Sequence, residues 1–475
     1  MTPRCIPPVA EIVIELPCGP VTALETTDGL RKLRGVPFAQ APQGPLVDQP
    51  PQPLEAWTAP RSALDCAPAP LQPKLPGLGM RRAERISADC LYLNVDAPAN
   101  PDSPVPVMVW VFGGGYITGD ASDELFDGSN LARSGLVVVR ANYRLGAFGR
   151  NNLGMQDQLA ALHWVQENIA ALGGDPDNVT LFGESAGAMS ICNLLTMPRA
   201  RGLFHAAIAQ SGAGNNVSTL PAADLANRRW DAECKALPDP QDVDARLDTQ
   251  QRLNKALRPT TGGMPFRPVI DGELLPQHPE EAAHLGADIP LLIGQNADEH
   301  RLYLHPRLRP TEDDLRTLLS KRATMARLSD IKALYPDHST LELLASIETE
   351  LRYRQPMQRY ANARGANTWV YRFNWRSPAL RGWLAACHAI EIPFVFGNFQ
   401  ASSTVKFVGP GYADLSAEMM ALWRHFAYHH EPPEVWMPHP QVLDIHPGFT
   451  SRGATATELY WDTLTQNHRA AIAQP

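Results

Sequence analysis

Cysteine is scarce in this chain, seven residues among 475. So sparse and odd a set argues against a disulfide scaffold and makes buried thiols the default, with at most an isolated bridge. Long apolar runs are missing as well. The longest, Val107-Met108-Val109-Trp110-Val111-Phe112, suits a strand buried on both faces. It falls well below the roughly 18 residues of a membrane helix, so no membrane span is expected. The opening residues, Met1-Thr2-Pro3-Arg4-Cys5-Ile6-Pro7-Pro8, lack the continuous apolar core of a secretory signal, and the expected location is cytoplasmic. There is no excess of positive charge: 42 Lys and Arg stand against 50 Asp and Glu, a net charge of −8, so nucleic acid is not an expected partner. Neither G-x-x-x-x-G-K-[ST] nor H-E-x-x-H occurs, and His429-His430-Glu431 has no spaced partners, so neither cofactor nor metal is expected.

What is present is ample material for a core. Hydrophobic residues make up 44% of the chain, and no linker-like stretch divides it, which predicts one elaborated domain over residues 1–475. The 44 prolines cluster in Pro37 to Pro76 and Pro98 to Pro106, as extended or looped coverings over a sheet would require. Strand-like runs recur at Glu11–Leu16, Val21–Thr26, Leu91–Val95, Val105–Phe112, Leu136–Ala141, Val179–Phe182, Ala206–Ala209, Leu291–Ile293 and Trp369–Phe373. Helical or irregular segments separate most of them, which favours an α/β fold with a large, mostly parallel sheet. Helical spacing is clearest in 157–174, where Leu162, Val165, Ile169 and Leu172 form one apolar stripe before Gly173 and Gly174. Similar patterns cover 340–355 and 415–429.

The chemistry is carried by Gly183-Glu184-Ser185-Ala186-Gly187, which follows the β-rich Val179-Thr180-Leu181-Phe182 and precedes an apolar helical stretch. That is the setting of a G-x-S-x-G nucleophile elbow, in which a strained turn lifts the serine hydroxyl out at the sheet edge. The N–H of Ala186, at the helix start, is then placed to help hold an oxyanion. A second element, Gly113-Gly114-Gly115-Tyr116, directly follows the run ending at Phe112, where the oxyanion loop of such a hydrolase belongs. A dinucleotide loop would need glycine at Thr118; the chain has Gly119 instead. Phe112, Tyr116, Phe394 and Phe396 are more readily packing residues than pocket walls.

The order of further motifs widens the match. Asp89-Cys90-Leu91-Tyr92-Leu93-Asn94-Val95, Asn142-Tyr143-Arg144-Leu145-Gly146, Gln210-Ser211-Gly212, Pro268-Val269-Ile270-Asp271-Gly272, Asp298-Glu299 and His388-Ala389-Ile390-Glu391-Ile392-Pro393-Phe394 resemble the type-B carboxylesterase and cholinesterase family, in its bacterial p-nitrobenzyl-esterase-like branch. The resemblance covers most of the chain and implies the α/β-hydrolase fold, with an N-terminal β-rich covering and helical cap insertions. It also implies a serine hydrolase of carboxylic esters, acting without cofactor on a small-molecule ester of short-chain or aromatic type; the sequence leaves the oligomeric state open, with a monomer as the default expectation. Ser185 matches the nucleophile, Glu299 the triad acid and His388 the base. Gly114, Gly115 and Ala186 match the oxyanion donors, and Glu184 and Ser211 are candidate supporting residues. From the residues alone, Asp298 competes with Glu299. The chain departs from the pattern at Phe112, where the family usually has His, and at Ala88, where it has Glu. Segments 122–130, 150–154 and 213–262 are shorter than usual, which should open the gorge. Cys66 and Cys90 match a pair bridged in many relatives. The rival readings are a non-catalytic binding module of the same fold, or a hydrolase of amides, thioesters or lactones.

Overall fold

Val105–Val111 is buried at every position, the pattern of a strand covered on both faces by helices. In the computed structural model, which describes residues 9–73, 85–322, 326–365, 367–399, 401, 407–408 and 412–472, this strand lies near the middle of a 13-stranded sheet. The end of the proline-rich covering, residues 74–76, lies outside the described residues, as does the segment 1–8. In chain order the main strands are β1 (Val9–Leu16), β2 (Gly19–Thr26), β3 (Leu30–Pro37), β4 (Tyr92–Pro98), β5 (Val105–Val111), β6 (Val137–Ala141), β7 (Gly174–Glu184), β8 (Ala206–Gln210), β9 (Leu291–Asn296), β10 (Thr368–Phe373), β11 (Val442–Ile445) and β12 (Thr450–Arg452). Their spatial order is 1-2-3-4-6-5-7-8-9-10-11-12, with the short pair Arg61–Ser62 alongside β2. From β6 through β11 every pairing is parallel. The N-terminal meander β1 to β4 joins antiparallel and extends the sheet at its edge.

Parallel neighbours need crossovers, and helices supply them. Helix α1 (Leu153–Asn168) continues as a tight turn through Leu172 and stops at Gly173, whose φ of 79° closes it. It begins earlier than the apolar stripe predicts. Asn152 (φ 63°) anchors the start, its side chain donating to Val269 O and the Asp271 carboxylate and accepting from Val269 N. Helix α2 (Ala186–Leu194) runs from the serine turn. Beneath it, Trp110 packs against Phe126, Phe182 and Phe396 at centroid separations of 5.1, 4.9 and 5.0 Å. Phe394 and Phe396 are therefore core residues.

Two smaller apolar clusters lie outside the main core. In one, helices α3 (Leu220–Lys235) and α4 (Val243–Thr261) close over Phe148, Trp230, Leu253 and Phe266, with Ala88 against the cluster. In the other, α5 (Glu312–Lys321), α6 (Leu328–Leu334) and α7 (Thr340–Thr349) pack Leu315, Ile331 and Ile347 on Trp461. The helix predicted over 340–355 does not stop there. It passes through a π turn at Glu350–Arg354 and continues as α8 (Gln355–Arg364).

Candidate active site

Strand β7 ends at Glu184 and α2 begins at Ala186, which forces Ser185 to φ 56°, ψ −120°. Such a conformation stores about 1–3 kcal/mol in a non-glycine residue and persists only where its surroundings over-determine it. They do so here: Ser185 N donates to Gln210 O at 2.8 Å, and Ser185 O accepts from Met189 N at 2.9 Å. Close approach also dictates Gly187, where a Cβ would stand 1.9 Å from Val111 O. Ser185 remains partly exposed while its neighbours on either side are buried.

After β5 the chain enters the glycine loop. Gly114 has φ 103° and packs against the turn it makes, its missing Cβ pointing 2.0 Å from Thr118 O. Among the described residues the N–H groups of Gly114, Gly115 and Ala186 donate to no protein acceptor, so three donors remain open beside the serine turn. Phe112 stacks on Tyr143 with centroids 4.4 Å apart, and Tyr143 Oη donates to Phe112 O at 2.8 Å. An aromatic stack thus braces the loop where relatives of the motif carry histidine. Tyr116 is buried behind it.

The third segment brings in the base. His388 N donates to Glu299 O at 3.1 Å, and its Nδ1 lies 2.6 Å from Glu299 Oε2. Glu299 Oε1 accepts from Asn296 N at 2.7 Å, so both carboxylate oxygens are held by donors in the interior. Adjacent Asp298 turns the other way, to Arg301 and Arg376 at 3.2 and 3.1 Å. Among the described residues no hydrogen bond joins Ser185 Oγ to His388. His388 Nε2 instead lies 2.9 Å from Oε1 of the preceding residue, Glu184. The ring nitrogen therefore sits beside the serine turn, paired with the Glu184 carboxylate.

Burial alone would lower the pKa of His388, but the carboxylates of Glu184 and Glu299 hold it well above the usual histidine range. Glu184 is itself raised by burial. A third carboxylate escaped the sequence reading of the site: Glu391, fully buried, accepts from Asn296 Nδ2 at 2.5 Å and Gln210 Nε2 at 3.1 Å. Burial, then the charges of Glu184 and Glu299, push it up to about 8. The one available signal was its place three residues after His388 in a motif already singled out. Ser211 is buried with φ 56°, its N–H on Gly294 O at 2.8 Å and its Oγ unpartnered. Two tyrosines, Tyr353 and Tyr303, flank the imidazole at 5.0 and 5.6 Å. No motif pointed to either: Tyr303 ends the short turn that begins at Glu299, and Tyr353 comes from the π turn of the helical insert.

A parallel sheet with crossover helices, a strained serine at the end of a central strand and a His–Glu pair on later loops define the α/β-hydrolase fold and its type of site. The chain belongs to the carboxylesterase family, whose model matches residues 11–472. It is 39% identical over 402 residues to the para-nitrobenzyl esterase of Bacillus subtilis, covering 78% of this chain and 80% of that one. It is 34% identical to the fumonisin B1 esterase of Sphingopyxis macrogoltabida, over 92% of this chain and 84% of that protein. Among solved structures, a thermophilic PNB esterase superposes with a TM-score of 0.83 at 32% identity, covering 95% of this chain and all (100%) of its own. A Geobacillus stearothermophilus carboxylesterase gives 0.79 at 31% identity, covering 97% and 99%. The protein is thus a carboxylesterase, a hydrolase of small-molecule carboxylic esters. No helix among the described residues is long and apolar enough to cross a membrane.

Proposed function

We propose that ester cleavage runs through an acyl-enzyme on Ser185, with His388 as general base and acid and Glu299 as the residue that orients it. The supporting observation is the 2.6 Å bond between His388 Nδ1 and Glu299 Oε2, side chains 89 residues apart in sequence, with Nε2 beside the serine turn. Ser185 Oγ attacks the carbonyl carbon while its proton passes to Nε2. The C–O bond to the alcohol then breaks, and His388 returns the proton to the departing oxygen. A water activated in the same way cleaves the acyl-enzyme and frees the acid. Open N–H groups on Gly114, Gly115 and Ala186 receive the negative charge that develops on the carbonyl oxygen. Glu184 and Ser211 support this arrangement without bonding to substrate.

Short-chain or aromatic esters are the proposed substrates, in keeping with the para-nitrobenzyl esterase relative. The chain is read as one catalytic domain and as a monomer. A reducing, cytoplasmic setting agrees with Cys66 and Cys90, which are unbridged like the other described cysteines. The test is Ser185→Ala: turnover of p-nitrophenyl acetate or butyrate and labelling by a fluorophosphonate should both vanish while the circular dichroism spectrum stays unchanged. Persistent turnover, or a label on another residue, would refute the assignment.

A further inference from the structure

We propose that a second cavity, separate from the serine site, binds an organic monocarboxylate of the size and kind that ester hydrolysis releases. The cavity has a volume of about 180 Å³ and lies between the proline-rich covering, the loop around Leu145 and the start of α4. Its walls are largely apolar, with Val47, Leu71, Ala88, Phe148 and Val243 among them, and two arginines reach it. One is neutralised: Arg144 holds the Asp157 carboxylate with Nε and Nη2, both at 2.8 Å. Arg246 is not neutralised. Its guanidinium carbon lies 4.9 Å from the Phe148 ring centroid and 5.5 Å from that of Trp230, and its buried Nε has no hydrogen-bond partner. The side chain meets the Cys234 thiol, but it forms no ion pair among the described residues. At the helix start Asp242 caps Ala245 N and Asp239 accepts from Gln241 N, while the first-turn acid Asp244 forms no ion pair with Arg246 among the described residues.

A stacked, half-buried guanidinium without a counter-ion is a natural partner of a carboxylate. The apolar walls select an anion that carries a ring or a short alkyl chain over a bare ion. No lining residue belongs to the Ser185, His388 and Glu299 cluster or to the glycine loop. The proposal takes only the class of ligand from the carboxylesterase activity and does not depend on which residue is the nucleophile.

Isothermal titration with benzoate and hexanoate tests it, on protein first inactivated with diethyl p-nitrophenyl phosphate. Mass spectrometry of the inactivated protein reports separately whether Ser185 carries the phosphoryl group. The expected result is one benzoate bound per inactivated chain, more than about tenfold weaker binding in Arg246→Met, and no comparable binding of benzyl alcohol. Val243→Trp, at the exposed start of α4, fills the cavity and should also abolish binding, which keeps the test decisive if Arg246→Met does not fold. Loss of benzoate binding on inactivation would place the ligand at the catalytic centre and overturn the proposal. Undiminished binding in both variants, or no binding of either acid to wild-type protein, would overturn it equally.

Discussion

Replacing Glu299 with Gln asks the sharpest question of the site, because both carboxylate oxygens face donors. Oε1 accepts from Asn296 N at 2.7 Å and Oε2 meets His388 Nδ1 at 2.6 Å. An amide offers one acceptor and one donor group. If its oxygen stays on Asn296 N, its NH2 faces Nδ1 and favours the tautomer with the proton on Nε2, the nitrogen that must accept the serine proton. If it flips, the buried Asn296 N–H meets a donor, at a cost of about 1–3 kcal/mol for an orphaned group. The expected loss in kcat is about 10⁴-fold, the size seen when the acid of a serine triad becomes an amide. Asp298→Asn is the matched control. That carboxylate bonds to Arg301 and Arg376, with Ala386 N at 3.4 Å, rather than to the imidazole, so kcat should stay within about fivefold of wild type, roughly 1 kcal/mol. Steady-state hydrolysis of p-nitrophenyl butyrate between pH 6 and pH 9, with thermal unfolding of each variant, measures both effects. Equal losses in the two variants, or a Glu299→Gln enzyme that keeps most of its activity, would show that the short His388–Glu299 bond is not what the chemistry uses.

Three further outcomes are expected. In Gly187→Ala the new methyl group would approach Val111 O to 1.9 Å, so β5 must move and carry the glycine loop with it. Stability should fall by about 1–3 kcal/mol and kcat by at least about 10²-fold, read from thermal melts and ester turnover. Glu184→Gln removes the foremost charge that raises His388, so the base form appears at lower pH and the acid limb of the kcat/KM profile should shift downward; an upward shift would contradict the sign. For Glu391 the folded value of about 8 lies above its unfolded value near 4.5. The folded state therefore keeps a proton that the unfolded chain releases, and this group's contribution to stability is full below about pH 4.5 and lost as pH rises towards 8. Chemical denaturation of Glu391→Gln against wild type should show the variant gaining relative stability from pH 5 to pH 9.

The central strands were legible because burial on both faces leaves unbroken apolar runs, as in Val107 to Phe112. Strand β3 was not. Its sequence, Leu30-Arg31-Lys32-Leu33-Arg34-Gly35-Val36-Pro37, reads as polar, and it joins the sheet because Arg34 finds the Asp96 carboxylate at 2.6 Å and Val95 O at 3.1 Å. Strand β11 hides among prolines and takes its place from pairing with β10. At the site, the serine turn and glycine loop announce themselves through local backbone demands that only certain residues meet. The choice between Asp298 and Glu299 is not local. It depends on which carboxylate reaches a loop 89 residues away, and neighbouring acids look alike until the chain has folded. Tyr353 carries no local signature at all, since tertiary packing alone brings it to the imidazole.

The helices between β9 and β10 pack Leu315, Ile331 and Ile347 against Trp461 of the C-terminal helix, and the π turn within this insert presents Tyr353 to the ring of His388 at 5.0 Å. The insert and the reaction centre are thereby geared through the Tyr353 phenol ring. Repacking this insert is a way to retune the base while leaving the sheet beneath it untouched.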